Sequence, residues 1–470
     1  MQKYHLISPE EIERIHETSL KILEEVGMIF SYAPARDVFA KAGCKVEGQK
    51  VFLPRKLVED CMAQVPSSFQ LHARNSEKSL TIDTQHTVYA GPYGAAFVQD
   101  LDSGRRTSTM DDYIKFTKLT QMLPNIDVQS HLYCEACDVP DKYRHMEMHF
   151  NALRYCDKPV MGGVLGYQAA KECIEMTAIV QGGMDYIRKN PSNICLCCTL
   201  SPLSYDDKMA GAIMAYAECG QPQLVSSLSM AGATTPVTIA GTVALQNAEV
   251  LAGIVLAQLV NPGTPIVYSA STSNADMRMG NLAIGSIENA MFSLINGQLA
   301  KRYNIPVRMS GALSDSKIVD AQAGYESMLT LLMAEMGGGN FILHAAGILD
   351  SYNTVSYEKL IMDDELIGMI RHLQRGVTVD DNSLAFDAIK EVGPRGAFIA
   401  HEHTFHNFRK EFYQPVLSNR DVPDVWMEKG SLTAEQRANL RWKKLLDEYV
   451  DPGLDAGIEK ELRKYIDQRK

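Results

Sequence analysis

Residues 401–415, HEHTFHNFRKEFYQP, bring three histidines, four other charged side chains and four aromatic rings into fifteen positions. His401 and His403 flank one glutamate, and His406 follows three residues later. Two imidazoles two residues apart on a strand can hold zinc, provided that distant histidine and carboxylate ligands complete the set. In barrel hydrolases built that way the pair sits on the first strand, whereas here it falls at the end of the eighth predicted strand. His406 suits the face of a following helix rather than the same metal. The alternative is a hydrogen-bonded seam, with Arg409 and Glu411 paired to neighbours, that lines or braces a barrel mouth. The pattern favours that reading, with no metal.

Other polar groups fall at the ends of apolar runs. They are His131 and Glu135, Thr199, Ser227 and Ser229, Ser269 and Ser271, Arg308 and Ser310, and His344. Such a mouth carries little charge and is rich in small residues. Gly162-Gly163 and Gly337-Gly338-Gly339 would let a large flat group approach, although turn geometry explains glycines equally well. Cys134 and Cys137 could supply two zinc thiolates, but the CLCC run at 195–198 lies inside a predicted strand, where alternate residues face opposite ways. The sequence contains no phosphate-binding GxxxxGK[ST] loop, no convincing GxGxxG after a strand and no GxSxG elbow.

Composition narrows the class. The chain has 470 residues, 46% hydrophobic, enough for a large core with an added segment. A net charge of −11 argues against a nucleic-acid partner. The N-terminus lacks the apolar core of a signal peptide, and no apolar run is uninterrupted enough to span a bilayer, so a cytoplasmic protein is expected. Ten cysteines in apolar or helical settings suit free thiols.

The elements that would position these groups alternate. Ser8, Pro9 and Glu11 open a helix with a capping box, and Gly27 ends it. KVEGQKVFLP and VYAGPYGAAFVQDLDSGRRT each suggest a hairpin, so residues 1–120 form an N-terminal α+β extension. Eight short apolar runs follow, starting near 127, 159, 193, 223, 265, 306, 340 and 397, with helix-period segments between them. Eight such units over 121–425 predict an α/β fold, a (β/α)8 TIM barrel, with an open doubly wound sheet as the alternative. Residues 426–470 are polar and helical and should pack outside or at a subunit interface, and a homo-oligomer is expected.

Four blocks carry a family resemblance: LEEVGM, AGPYGAAFVQDLDSGRR, VDAQAGYESMLTLLMAEMGGGNFILHAAGILDS (319–351) and GAFIAHEHTFHNFRKEFYQPVLSNR (396–420). From about residue 8 to 448 the chain resembles the trimethylamine:corrinoid methyltransferases. Trimethylamine enzymes of that family carry pyrrolysine, whereas every position here is a standard residue. The resemblance is therefore to the branch acting on quaternary amines such as glycine betaine, proline betaine and carnitine. It implies a TIM barrel that docks a separate corrinoid (cobalamin) protein over its mouth. It also implies in-line attack of Co(I) on a methyl carbon. A neutral tertiary amine leaves without a proton or Lewis acid, so no metal of the protein's own is expected. A methanol-type, zinc-dependent enzyme and a non-catalytic betaine-binding barrel are the rival readings.

A quaternary ammonium is held by aromatic faces. Tyr93, Phe97, Tyr268 and Tyr352 are the cage candidates, and Arg308 with His344 the pair for a carboxylate. His401, His403, Gly163 and Gly338 are expected on the corrinoid side.

Overall fold

The structure, a computed structural model, describes residues 3–470. At its centre is a seven-stranded, wholly parallel sheet. Its strands are β1 (Val88–Tyr89), β2 (Val160–Gly162), β3 (Asn193–Cys198), β4 (Gln223–Ser227), β5 (Ile266–Ala270), β6 (Val307–Ser310) and β7 (Phe341–Leu343). They lie in the order β1-β7-β6-β5-β4-β3-β2. Two single parallel bridges, Ala90 to Val128 and Gln129 to Val160, join residues 128–129 to both edge strands. The six runs from 159 to 340 are thus strands β2 to β7, as their apolar pattern predicts. The run at 127 makes only bridges. The first strand, β1, comes from the segment read as an N-terminal extension.

The eighth predicted strand requires correction. Residues 397–401 form no strand, and Glu402–Glu411 is a helix with no buried residue. His401 caps its N-terminus by accepting from the His403 amide at 3.0 Å. The apolar residues of this segment face outward: Ile399 is 89% and Phe405 68% exposed.

Period-two alternation divides the strands between two cores. Val88, Met161, Ile194, Leu196, Leu224, Val267, Phe341 and Leu343 pack together on the inner face. Tyr89, Cys195, Cys197, Val225, Tyr268, Val307, Met309 and Ile342 pack outward with the helices. An antiparallel hairpin, Ser68–Leu71 with Leu80–Asp83, leads directly into β1. Its Phe69, Leu71 and Ile82 join the inner cluster and stopper the amino end of the sheet.

The surrounding helices are α1 (Pro9–Lys21), α2 (Asp141–Tyr155), α3 (Tyr167–Gln181), α4 (Asp207–Glu218), α5 (Ile239–Val260), α6 (Ile287–Tyr303), α7 (Ala321–Met336) and α8 (Tyr357–Gln374). Ser8 and Glu11 form the expected box on α1, and Gly27 follows at φ 74°. Both predicted hairpins are present, Lys45–Glu47 with Lys50–Phe52 and Phe97–Asp100 with Gly104–Thr107. Among the described residues α5 alone is long and apolar enough to cross a membrane, and 83% of that window is buried in the protein. Its polar residues have work inside. Glu249 accepts from Thr199 Oγ1 (2.8 Å), Ser201 Oγ (2.9 Å), Ser227 Oγ (2.7 Å) and the Leu203 amide (2.7 Å), clamping the loops after β3 and β4.

Gly253 marks the closest approach of α5 to the sheet. A Cβ there would lie 2.7 Å from Val225 Cγ1 and overlap the Tyr205 hydroxyl. Gly253→Ala is expected to destabilise the fold by about 1–3 kcal/mol through overpacking, read as a lower urea midpoint. An unchanged midpoint would mean that the helix can lift off the sheet without cost.

Candidate active site

Arg308 is the centre of the site. It shares the inward face of β6 with Ser310, because its neighbours Val307 and Met309 point to the helices. It is fully buried. Its Nη2 donates to His344 Nδ1 at 2.8 Å, and Nη1 donates to Ser271 Oγ and, at 3.4 Å, to the Ala270 carbonyl. Nε has no partner. Among the described residues no carboxylate pairs with this guanidinium. Burial lowers its pKa, yet arginine stays charged at neutral pH. An uncompensated buried cation is costly, and an anion beside it would relieve that cost.

His344 follows β7 in the left-handed region, at φ 57°. Its Nδ1 accepts from Arg308, so Nε2 carries the proton and donates to the Tyr93 carbonyl at 2.9 Å. Burial and the Arg308 charge hold its pKa well below the ordinary histidine value. The Tyr93 ring stands edge-on to it at 6.4 Å, and the Tyr352 ring lies 4.7 Å away. Tyr352 shares a hydrogen bond with Ser310 Oγ at 3.2 Å. His344, Asp350, Ser351 and Tyr352 all have positive φ, a concentration of backbone strain that marks functional sites. The hydroxyls of inward-facing Ser130, Ser226 and Ser269 have no partner, nor does Arg308 Nε, and Ser226, Ser269 and Arg308 lie side by side across three strands, so unsatisfied polar atoms gather beside the guanidinium.

The structure brings together Arg308, His344, Tyr93 and Tyr352, and it separates the other sequence candidates from them. Tyr268 points outward, where its hydroxyl donates to Asn247 Oδ1 at 3.0 Å and its ring lies 5.9 Å from Tyr303. Strand parity excludes it from a cage. Phe97 is half-buried on the hairpin beside the Tyr352 loop, but the Arg105 guanidinium covers one ring face at 3.6 Å. A second cation at that ring would meet this charge.

Gly163 lies at the carboxyl end of β2, where a Cβ would come within 2.9 Å of His131 Nε2 and 3.1 Å of Cys173 Sγ. Close packing, not exposure to a flat ligand, requires glycine there. Gly338 is at the opposite, amino end of β7, in a cleft of about 500 Å³ with Lys3 and Asn340. His401 and His403 are farther still, with His401 facing Glu391 at 3.5 Å and His403 the Asn382 carbonyl at 3.2 Å. Their segment leaves the C-terminal end of α8, which lies at the amino edge of the sheet.

Sequence reasoning missed two features. Ser226, one residue before the serine singled out, faces inward beside Ser269, while Ser227 binds Glu249. The loops after successive strands expose Leu165, Leu200, Leu228, Met277, Met279 and Ile318. They form an apolar rim at the carboxyl ends of the strands. The signal for it lay in the last residue of runs such as CLCCTL and LVSSL.

His131, His149 and Cys173 form a buried cluster whose ligand atoms lie within 4.8 Å of one another. His149 Nε2 bonds Thr177 Oγ1 at 2.8 Å, and both histidines have an unpartnered Nδ1. These residues have the donor set for a transition ion. Cys134, Cys137 and the CLCC run belong to no such cluster among the described residues.

Comparison with known proteins now bears on this site. A family model described as Trimethylamine methyltransferase (MTTB) matches residues 1–470. The chain belongs to this family. It is 46% identical over 469 residues to a glycine betaine methyltransferase of Desulfitobacterium hafniense, covering 100% of this chain and 98% of that one. It is 31% identical to the proline betaine:corrinoid methyltransferase of Eubacterium limosum, covering 98% and 96%. The monomethylamine methyltransferase of Methanosarcina barkeri shares the fold at a TM-score of 0.56 and 11% identity, over 96% of this chain and 90% of that one.

The buried imidazoles of this family member set a pH dependence. Burial holds His131 well below the ordinary value and His149 at about 3. The unfolded chain protonates these groups as pH falls through about 6.5, and the fold does not. Their stabilisation is present above that pH and is lost as pH drops toward the folded values. Between pH 6.5 and 4.5 the urea midpoint should fall. His149→Gln should flatten the decline by one proton, about 1.4 kcal/mol per pH unit. An unaltered slope would show that His149 is charged in the fold.

Proposed function

We propose that this protein moves a methyl group from glycine betaine to Co(I) of a corrinoid carried by a separate protein. The single observation that carries the substrate assignment is the buried Arg308 without an acidic partner. A betaine carboxylate supplies the missing charge and can take the free Nε edge in a two-point contact. The relatives that act on betaines support the same reading.

Each residue then has a task. Arg308 binds the carboxylate, and His344 and Ser271 fix the guanidinium's orientation. Tyr93 and Tyr352, on either side of His344, offer their rings to the ammonium, at about 0.5–2 kcal/mol per ring. The apolar rim seats the corrinoid protein and excludes water. The corrinoid supplies the nucleophile that takes the methyl group. The departing tertiary amine is neutral, so no residue need donate a proton, and a Lewis acid is not required for that departure. Residues 127–129 are read as the eighth stave of a closed (β/α)8 TIM barrel, a reading that their bridges to both edge strands support. A cytoplasmic location and a homo-oligomer complete the proposal.

The test is anaerobic formation of methyl-corrinoid from the Co(I) partner protein and glycine betaine. Arg308→Gln should raise KM for glycine betaine roughly thirtyfold, the equivalent of about 2 kcal/mol. Tyr352→Leu should raise it severalfold. Glycine betaine should also raise the melting temperature of the native protein but not that of Arg308→Gln. Unchanged kinetics and an unchanged thermal shift in Arg308→Gln would remove the carboxylate assignment.

A further inference from the structure

His131, His149 and Cys173 come from three elements and take no part in the contacts of Arg308. His131 follows the bridge residues 128 and 129, His149 lies on α2 and Cys173 on α3. All three are buried, at 4%, 0% and 0% exposure. Gly163, at the carboxyl end of β2, keeps the gap between two of them open. A Cβ there would stand 2.9 Å from His131 Nε2 and 3.1 Å from Cys173 Sγ.

The imidazoles are set as lone-pair donors. Thr177 Oγ1 gives its proton to the Cys173 carbonyl at 3.0 Å and accepts from the Asn193 side-chain amide at 2.9 Å. Toward His149 Nε2, at 2.8 Å, it can therefore only accept, so Nε2 carries the proton and Nδ1 keeps a bare lone pair. A hydrogen bond that fixes the tautomer in this way is the usual support of a metal-binding histidine. Nδ1 of His131 has no partner either. Buried nitrogens without partners are costly, and a water that satisfied them would gain little from the thiol beside them. Two imidazoles and a thiolate are the ligand chemistry of zinc.

We propose that His131, His149 and Cys173 bind a structural zinc ion. Zinc bonds of roughly 2.0–2.3 Å hold ligand atoms about 3.5 Å apart. The three here lie within 4.8 Å of one another, so closure needs shifts on the order of 1 Å. Cys173 binds as the thiolate, and its proton passes to solvent. Three protein ligands leave a fourth position, which a water can take. The ion ties the segment that begins at His131 to α2 and α3. That segment runs beside the Tyr93 loop: the Gly94 amide donates to the Leu132 carbonyl at 2.6 Å, and the Glu135 amide to the Ala95 carbonyl at 3.0 Å. The site stands on the helix side of the sheet, so methyl transfer needs nothing from the ion. The pH dependence of His131 and His149 is that of the ion-free chain; with zinc bound, protons must first displace it.

The test is to equilibrate the full chain with zinc, dialyse it against metal-free buffer, and measure metal content and zinc X-ray absorption. The expected result is about one zinc per chain with sulfur in its shell. Cobalt(II) in place of zinc should give a thiolate-to-metal charge-transfer band. Cys173→Ser should abolish that band. Gly163→Ala, which puts a methyl group between His131 and Cys173, should lose the zinc. A wild-type chain that keeps no zinc would overturn the proposal. So would zinc held through nitrogen and oxygen alone, as Glu13, His16 and Glu17 could hold it, an adventitious ion only. X-ray absorption reads the wild-type protein directly, so the test stands even if a variant fails to fold.

Discussion

A full positive charge inside the sheet, with no acid to meet it, constrains everything around Arg308. Its side chain can stay there only because neutral groups share the load: the Ser271 hydroxyl, the Ala270 carbonyl and the lone pair of His344. His344 must in turn remain unprotonated, since a second cation at 2.8 Å would be repelled. Its hydrogen bond to the Tyr93 carbonyl fixes the tautomer that leaves Nδ1 free to accept. The strained turn at His344 and the strained loop through Tyr352 hold the two aromatic rings beside this pair. Stability is spent locally on a geometry that only a ligand completes.

Much of this was legible in the sequence, for physical reasons that can be named. Strands buried on both faces write short apolar runs, so six of the eight runs appear where expected. Arg308 and His344 were singled out because each is a polar residue in such a run, and the structure sets them 2.8 Å apart. Tyr268 was misjudged because position along a strand does not reveal which face a residue takes, and a register of one moves a ring from inner face to helix layer. Val88–Tyr89 is too short to stand out from the turns around it. AFIA at 397 looked like a strand because composition records that a segment is apolar, not where that surface is covered. In this protein it lies open on an arm that follows α8, and HEHTFHNFRKEFYQP is helix and cap rather than barrel.

The molecule therefore carries exposed apolar surface in two places with different surroundings. One is the ring of Leu165, Leu200, Leu228, Met277, Met279 and Ile318 around the carboxyl mouth. The other is the arm, whose side chains bond among themselves and leave their apolar faces outward. The rim residues are spread over five loops, Met277 and Met279 sharing one. The arm, residues 377–412, is a continuous stretch whose three short helices bury only Ala388.

The hairpin that closes the amino end has a kinetic consequence. With Phe69, Leu71 and Ile82 packed into the inner core, the amino end of the sheet is stoppered, and the carboxyl end is left as the door to Arg308. On the proposed function, that door is also where the corrinoid carrier sits. Betaine must then enter before the carrier lands, and the demethylated amine must wait until the carrier lifts away. Turnover then becomes a compulsory order of arrivals and departures, written into the fold by three apolar side chains at the far end of the sheet.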